Sequence, residues 1–410
     1  MSITTPPKDY AIMFLDMNSF FATVEQQVQP TLRGLPVGVA PYTGSTGCII
    51  AASMEAKSRG VKICRVDEAR RICPGIKILE ARPALYMIYH KEIKRVIEKF
   101  TPYFQPLSID EFAIRLTPRE QNYEAATALA KKIKAAIRAE VGDYLSCSIG
   151  IGPNIFLAKM AGERRKPDGL TVVRLSELHD FYAEPNMKLT DITGINFRMQ
   201  ARLNFFGVYS PLDFFNLPLE TLMRKLQHMG RLWYFRMRGY EVDEYVVKNK
   251  TIGHSHVLAP EFRSKDGALS VLRKLVSKTA VRVRKEGYCV GGISITIGFM
   301  DRGGFHSSRK VPSFSDNKTF LDTVLSIADE CHWQSRPIFV AISTFNLTKA
   351  GGEPISLFAD IEKSRSLSRT LDAINDEFGV GTITSASLMG AEETAPDRIP
   401  FGMPRYEIVN

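Results

Sequence analysis

The run QPLSIDEFAIRL, residues 105–116, sets Asp110 and Glu111 side by side in an otherwise apolar stretch. A charged side chain is rarely buried unless it is paired or holds a metal, so a core strand has no packing use for this doublet. Adjacent residues of a regular strand point to opposite faces, and the two carboxylates share a site only at a bend. A two-residue hairpin between PLSI and FAIR supplies that bend, although Asp-Glu lacks the Asn-Gly or Asp-Gly chemistry such a loop prefers. A local rule broken in this way is expected at a functional site. The bland alternative for a lone DE pair is a solvated hairpin tip.

A third carboxylate belongs with these two. YAIMFLDM, residues 10–17, is a continuous apolar run ending in Asp16, as expected of a buried strand that delivers a carboxylate at its C-terminal end. With Asp16 on a neighbouring strand, three carboxylates converge at one edge of a sheet. Hard oxygen ligands of this kind suit Mg²⁺, which uses one or two carboxylates plus substrate phosphates. Two such ions roughly 3.5 to 4 Å apart activate an attacking hydroxyl and stabilise a leaving pyrophosphate.

The rest of the chain reads as an α+β multidomain protein. SFFATVEQQV is helical with Ser19 near its cap, LPVGVAP and TGCIIAAS are short strands, and EARRI and ALYMIYHKEIKRVIEKF are helices. YEAATALAKKIKAAIRAEV is a helix, LSCSIGIG a strand, and NIFLAKMAGER a helix that starts at an Asn cap and stops before the turn KPDG. LTDITGINFRMQARLNFFGV, residues 189–208, has the outline of a helix-hairpin-helix. Charged EVDEYVVKNK, residues 241–250, reads as a linker. Beyond it, ALSVLRKLVSKTAVRVRKEG, CVGGISITIGFM and PIFVAISTFNL suggest a helix against a small antiparallel sheet.

Charge points to a partner. Lys and Arg number 54 against 44 Asp and Glu, and the excess clusters between Arg263 and Lys310, where only Asp266, Glu286 and Asp301 oppose eleven bases. Phosphate is the natural counterpart of such a surface. The six cysteines contain no CxxC pair, which argues against a zinc site or a disulfide framework. No run of about 18 apolar residues is present, so no membrane span is expected. The N-terminus lacks the basic and apolar regions of a secretory signal, and a cytoplasmic location is expected.

The strings FLDMNSFFATVE, EAKSRGVK, SIDEF, SCSIGIGPNIFLAKMA, KPDGL and TIGHSHVL stand in the order and spacing of the Y-family translesion DNA polymerases. The chain resembles that family over nearly all its length, in its bacterial polymerase IV and SOS error-prone branches. The resemblance implies a right-hand polymerase: palm with an antiparallel sheet plus helices (1–19 and 82–173) and small fingers (20–81). A helix-hairpin-helix thumb (174–240), a linker (241–249), an α/β little finger (250–348) and a C-terminal tail (349–410) follow.

By position, the resemblance makes Asp16, Asp110 and Glu111 the catalytic, metal-binding carboxylates, with the Met17 backbone carbonyl as a further ligand. The cofactor implied is a pair of Mg²⁺ ions, for which Mn²⁺ substitutes. Phe21 matches the steric gate, a ring standing where a ribose 2′-OH would sit. Phe20, Phe21, Ser53, Lys57 and Lys166 are the implied nucleotide contacts. Gly194 and Asn196 in ITGINF, with Lys274, Arg282, Arg284 and Arg309, are the implied DNA contacts. Asn196 replaces the second turn glycine of a typical hairpin, and Asn tolerates the left-handed conformation better than most residues. EPISLF, with Ile355, Leu357 and Phe358, resembles a clamp-binding peptide. The partners implied are primer-template DNA, dNTPs and a sliding clamp, for a protein that acts as a monomer.

Three positions depart from the family pattern. Lys57 stands where arginine is common, Met54 where tyrosine is common, and Asn18 where an Asp is common. Lysine offers a point charge instead of a fork, and methionine cannot donate to phosphate, so weak nucleotide affinity is expected. Two rivals remain: a catalytically weak or silent DNA- or clamp-binding relative, and a palm-fold nucleotidyl cyclase. The cyclase has no need of the hairpin thumb or the basic C-terminal module.

Overall fold

The computed structural model describes residues 6–45, 47–242, 251–351, 359–379, 381–388, 391 and 394–395. Its strands are β1 (Ile12–Met17), β2 (Val37–Ala40), β3 (Ala51–Ala52), β4 (Lys77–Glu80), β5 (Phe104–Pro106) and β6 (Glu111–Arg115). They continue with β7 (Cys147–Gly152), β8 (Leu170–Val172), β9 (Ile252–Val257), β10 (Tyr288–Phe299), β11 (Gly304–Phe314) and β12 (Pro337–Lys349). Three sheets result, ordered β5-β6-β1-β7-β8, β3-β2-β4 and β11-β10-β12-β9. The chain divides into two compact units, with the first two sheets within Met1–Glu244 and the third within Tyr245–Asp397.

In the first unit β1 is the middle strand, antiparallel to both β6 and β7. Both of its faces are covered. Met13, Leu15 and Met17 share a core with Ile93 and Ile97 of the helix Pro83–Glu98 and with Ile133 and Ile137 of the helix Tyr123–Glu140. Ile12 and Phe14 pack with Ala158 of the helix Ile155–Glu163 on the other face. This two-sided burial is why the strand reads as a continuous apolar run. Five buried apolar side chains contribute roughly 7 to 15 kcal/mol before entropy, enough to hold the partly buried Asp16 in place at the strand's end.

A glycine sets how closely the last of these helices approaches. A Cβ on Gly150 of β7 would stand 1.9 Å from the Ala158 carbonyl oxygen and 2.4 Å from the Gly162 nitrogen, so no other residue fits. The helix Ile155–Glu163 therefore lies directly on the sheet. Its other side joins a second core, where Phe156, Leu157, Met160 and Ala161 meet Tyr182, Phe214, Leu222 and Trp233 from the helices that follow β8. Asn154 caps it, accepting from Leu157 N at 2.8 Å and donating to the carbonyls of Arg236 and Tyr240, each at 2.8 Å. The three-stranded sheet has its own small core of Ala40, Ile49, Ala52, Ala56, Val61, Val66 and Ala69.

In the second unit the helix Lys265–Lys285 buries Ala268, Val271, Leu272, Leu275, Val276, Thr279, Ala280 and Val283, the spacing of one helical face. With the helix Asn317–Ala328 it forms a core against the inward residues of β10 and β12. The tail also packs here. Within this unit the helix Ala359–Phe378 is fastened by Asn317 N donating to Ser368 Oγ at 3.1 Å and Arg365 Nη2 donating to Ser313 O at 3.1 Å. No helix among the described residues is long and apolar enough to cross a membrane.

Candidate active site

The register of β1 and β6 makes Asp16 and Glu111 direct cross-strand partners, so the two residues share one face of the sheet. Asp110 and Glu111 are not the two residues of a hairpin turn, contrary to the sequence expectation. β5 ends at Pro106 and β6 begins at Glu111, so residues 107–110 make the connection. Ser108 explains the difference. Its hydroxyl donates to Asp110 Oδ1 at 2.6 Å and accepts from Asp110 N at 3.3 Å, a local turn that needs no Asn-Gly. The Asp110 carbonyl accepts from Met17 N at 3.0 Å, which sets Asp110 at the mouth of the strand pair. Met17 keeps its side chain in the core.

Two ammonium groups answer two of the carboxylates. Lys166 Nζ lies 3.0 Å from Asp16 Oδ1 and 2.6 Å from Glu163 Oε1, and Lys159 Nζ lies 2.6 Å from Glu111 Oε1. Burial pushes the Asp16 carboxyl up to about 7; Lys166 opposes the shift, and the negative charges of Asp110 and Glu163 add to it. Burial also raises Asp110, with the Ser108 hydrogen bond opposing and Glu111 adding. Burial works against the Lys166 charge, but Asp16 and Glu163 outweigh it, and its pKa is raised. Lys57 is lowered by burial and by Lys166, while Asp16, Glu163 and Asp110 act in the opposite direction on its charge.

The KPDG turn is held from below. Asp168, at φ 57, pairs with Lys134 at 3.0 Å and with Arg138, both on the helix Tyr123–Glu140, and this fixes the turn that carries Lys166. Among the described residues no three carboxylate, imidazole or thiol groups converge into a protein-only cage for a metal ion. Asp16 and Glu111 are turned toward their lysines instead. The donor set nevertheless fits Mg²⁺, an ion that takes one or two carboxylates and leaves the remaining positions to water and substrate phosphates. Positive charge now supplied by Lys159 and Lys166 shows that this edge attracts cations.

The other expected nucleotide contacts occupy different settings. Phe20 is a core residue, and Phe21 is 7% exposed with its ring stacked on Tyr86 at 4.6 Å between centroids. Tyr86 donates to Glu25 Oε1 at 2.7 Å, and Arg82 pairs with the same buried carboxylate. Ser53 is fully buried, and its hydroxyl caps the helix Met54–Ser58 by accepting from Ala56 N at 3.3 Å and Val37 N at 3.0 Å. That hydroxyl also donates to Leu35 O at 3.3 Å, so the structure commits Ser53 to the fold. Ser19 starts its helix at φ 51 without a side-chain cap, and its hydroxyl donates to Met54 Sδ at 3.6 Å. Asn18 is buried, bridging Ser146 at 3.1 Å and Ser148 at 2.9 Å.

Among the expected DNA contacts, Gly194 adopts the left-handed conformation, φ 94, against the Trp233 ring. Asn196 does not. Its φ is −90°, and its side chain accepts from Met199 N at 2.9 Å as the cap of the helix Phe197–Asn204, so it stands here as a cap residue and not as a glycine substitute. In the second unit Lys274 lies off the buried stripe of its helix. Arg284 is engaged within its own unit: only 7% of its side chain is exposed, its Nε and Nη2 grip Asp372 at 2.5 and 2.8 Å, and its Nη1 donates to Ser315 O and Asn317 Oδ1. Arg282 pairs with Glu286 at 2.7 Å, and Arg309 pairs with Glu330. Ile355, Leu357 and Phe358 lie outside the described residues.

Sequence reasoning missed Lys159, Glu163 and Ser108. A signal for Lys159 was present, since it is the one basic residue in the apolar helix IFLAKMAGE.

Comparisons with known proteins identify the family and the fold. The impB/mucB/samB family matches residues 15–163, and that family's C-terminal domain matches residues 249–357. DNA polymerase IV of Moorella thermoacetica is 32% identical over 397 residues, 93% of this chain and 97% of that protein. DNA polymerase IV of Pelotomaculum thermopropionicum is 31% identical over 92% of this chain and 94% of its own. A Y-family DNA polymerase chimera of Dbh and Dpo4 matches in structure with a TM-score of 0.71 at 23% identity, covering 82% of this chain and 99% of that one. The insertion ternary complex of Dbh DNA polymerase follows at 0.56 and 24%, with the same coverage. Both share the fold. On these matches and on its carboxylate-lined sheet edge, the chain belongs to the impB/mucB/samB family, the Y-family translesion DNA polymerases.

Proposed function

We propose that this Y-family polymerase extends a primer 3′-OH with dNTPs at the edge formed by Asp16, Asp110 and Glu111. The observation that carries the proposal is the β1–β6 register, which opposes Asp16 to Glu111 with Asp110 at the strand mouth. We assign two Mg²⁺ ions, with Mn²⁺ as a substitute, to these carboxylates and the Met17 backbone carbonyl. Bound there, they supply a primer hydroxyl of lowered pKa and neutralise the leaving pyrophosphate.

The chain's own residues bind and orient. Lys166 and Lys57, both drawn to the carboxylate edge, neutralise the triphosphate and hold its reacting phosphorus near the primer. The Phe21 ring, braced by Tyr86, excludes a ribose 2′-OH, while Phe20 and Ser53 support that wall from the core and the neighbouring helix cap. The Gly194 turn and the helix capped by Asn196 present backbone N–H groups to the duplex backbone. Lys274 adds salt-sensitive grip, joined by the partly exposed sides of Arg282 and Arg309. A palm, fingers, thumb and little finger with the boundaries given above accommodate these roles. The chain acts as a cytoplasmic monomer, with residues 355–358 as the contact to a sliding clamp.

Primer extension on a primed template with Mg²⁺ and either dNTPs or rNTPs tests the reading. Extension with dNTPs alone, and a gain of rNTP use in Phe21→Val, is the expected result. DNA binding without extension overturns the catalytic assignment, and equal use of both nucleotides by the parent protein overturns the gate.

A further inference from the structure

The helix Ile155–Glu163 does more than cover the sheet. It is mounted rigidly, because Gly150 lets it lie on β7, its far side belongs to the Trp233 core, and Asn154 ties its start to Arg236 and Tyr240. From this mount Lys159 reaches the face that Asp16 and Glu111 share, and its Nζ passes 5.3 Å from the centroid of Phe14, two residues before Asp16. Lys159 and Glu111 are only 27% and 19% exposed. A carboxylate in that setting, beside two others, is costly unless a cation is held close to it. Lys159 is that cation, and it contacts Glu111 through Oε1 alone.

We infer that Lys159 is a positioning residue for Glu111: it neutralises and orients this carboxylate before a divalent cation arrives, and keeps one oxygen fixed while the other turns to the cation. This rests on the proposed reading of Glu111 as a cation-facing carboxylate. The two lysines of this segment then have separate tasks. Lys166 sits on the exit turn of the helix with Asp16 and Glu163, where an incoming triphosphate displaces it. Lys159 is held inside the helix and stays with its carboxylate. Removing a group that orients a metal-facing residue typically costs about 10- to 100-fold in activity.

Lys159→Met, which keeps the straight apolar stem and removes the charge, is compared with Lys159→Arg and the parent in two measurements. The first is the thermal midpoint of the DNA-free full chain with and without Mn²⁺. In Lys159→Met the cation takes over the missing positive charge, so the Mn²⁺-induced rise is larger than in the parent by about 2 to 4 °C, while Lys159→Arg behaves as the parent. The second is single-nucleotide incorporation, where Lys159→Met lowers kcat about 10- to 100-fold with the dNTP KM within about twofold of the parent. Lys159→Gln replaces Lys159→Met in both comparisons if the latter does not fold. Equal Mn²⁺ increments in variant and parent, or a loss confined to KM, overturn the inference while leaving the carboxylate site intact. A parent whose stability ignores Mn²⁺, and whose Asp110→Asn variant polymerises normally, overturns the reading of the site itself and the inference with it.

Discussion

The carboxylate edge of the first unit and the basic helix of the second carry opposite charge, and the fold treats them differently. At the edge, Asp16 and Glu111 are paired with lysines that remain partly exposed, and Lys166, on its turn, is exchangeable for a metal ion or a phosphate. On the helix Lys265–Lys285, Arg284 is consumed by Asp372, 88 residues away, and only 7% of its side chain is exposed. A run of like charges is therefore a site only where its partners are weak enough to leave. Where the cation itself is almost wholly covered and gripped through two guanidinium nitrogens, as Arg284 is by Asp372, the charge serves the fold.

The largest effect that sharpens this contrast is at the edge. Asp16→Asn lowers single-turnover incorporation on the order of 10³-fold, about 4 kcal/mol of barrier, with DNA affinity unchanged in a binding titration. On the helix the corresponding change acts on stability. Arg284→Ala costs the second unit about 3 to 5 kcal/mol in urea unfolding, because a largely covered ion pair loses its cation and Asp372 is left without its bidentate partner. A loss of DNA affinity with no loss of stability would break the comparison, since it would return Arg284 to the surface.

Two smaller effects follow. Met54→Tyr restores a hydroxyl donor three residues before Lys57 and lowers the dNTP KM about 10-fold, roughly 1.5 kcal/mol, in steady-state kinetics. An unchanged KM would show that Met54 does not face the nucleotide. Lys274→Ala, off the buried stripe of its helix, weakens DNA binding slightly and reduces the salt slope by about one, with the unfolding curve unmoved.

What the sequence revealed tracks how local each cause is. β1 and Asp16 were legible because two-sided burial writes a continuous apolar run, and the helix Tyr123–Glu140 because Ala126, Ala130, Ile133 and Ile137 repeat at helical spacing. The acidic doublet announces a functional edge but not its turn, since the bend is made by the Ser108 hydroxyl and not by the two acids. At Asn196 the sequence leaves capping and left-handed backbone indistinguishable, because both favour the same residue type, and the structure makes it a cap. Lys159 and Arg284 were harder still. Each takes its meaning from a carboxylate distant in sequence, Glu111 for one and Asp372 for the other, and no local pattern records such a pairing.

The most direct test of the account is single-turnover dNTP incorporation by Asp110→Asn, with DNA binding followed in the same preparation. Asp110 contributes a carboxylate at the mouth of the β1–β6 pair and nothing to the hydrophobic core, so the account predicts that binding persists and incorporation is lost. Incorporation by Asp110→Asn at the parental rate would contradict it.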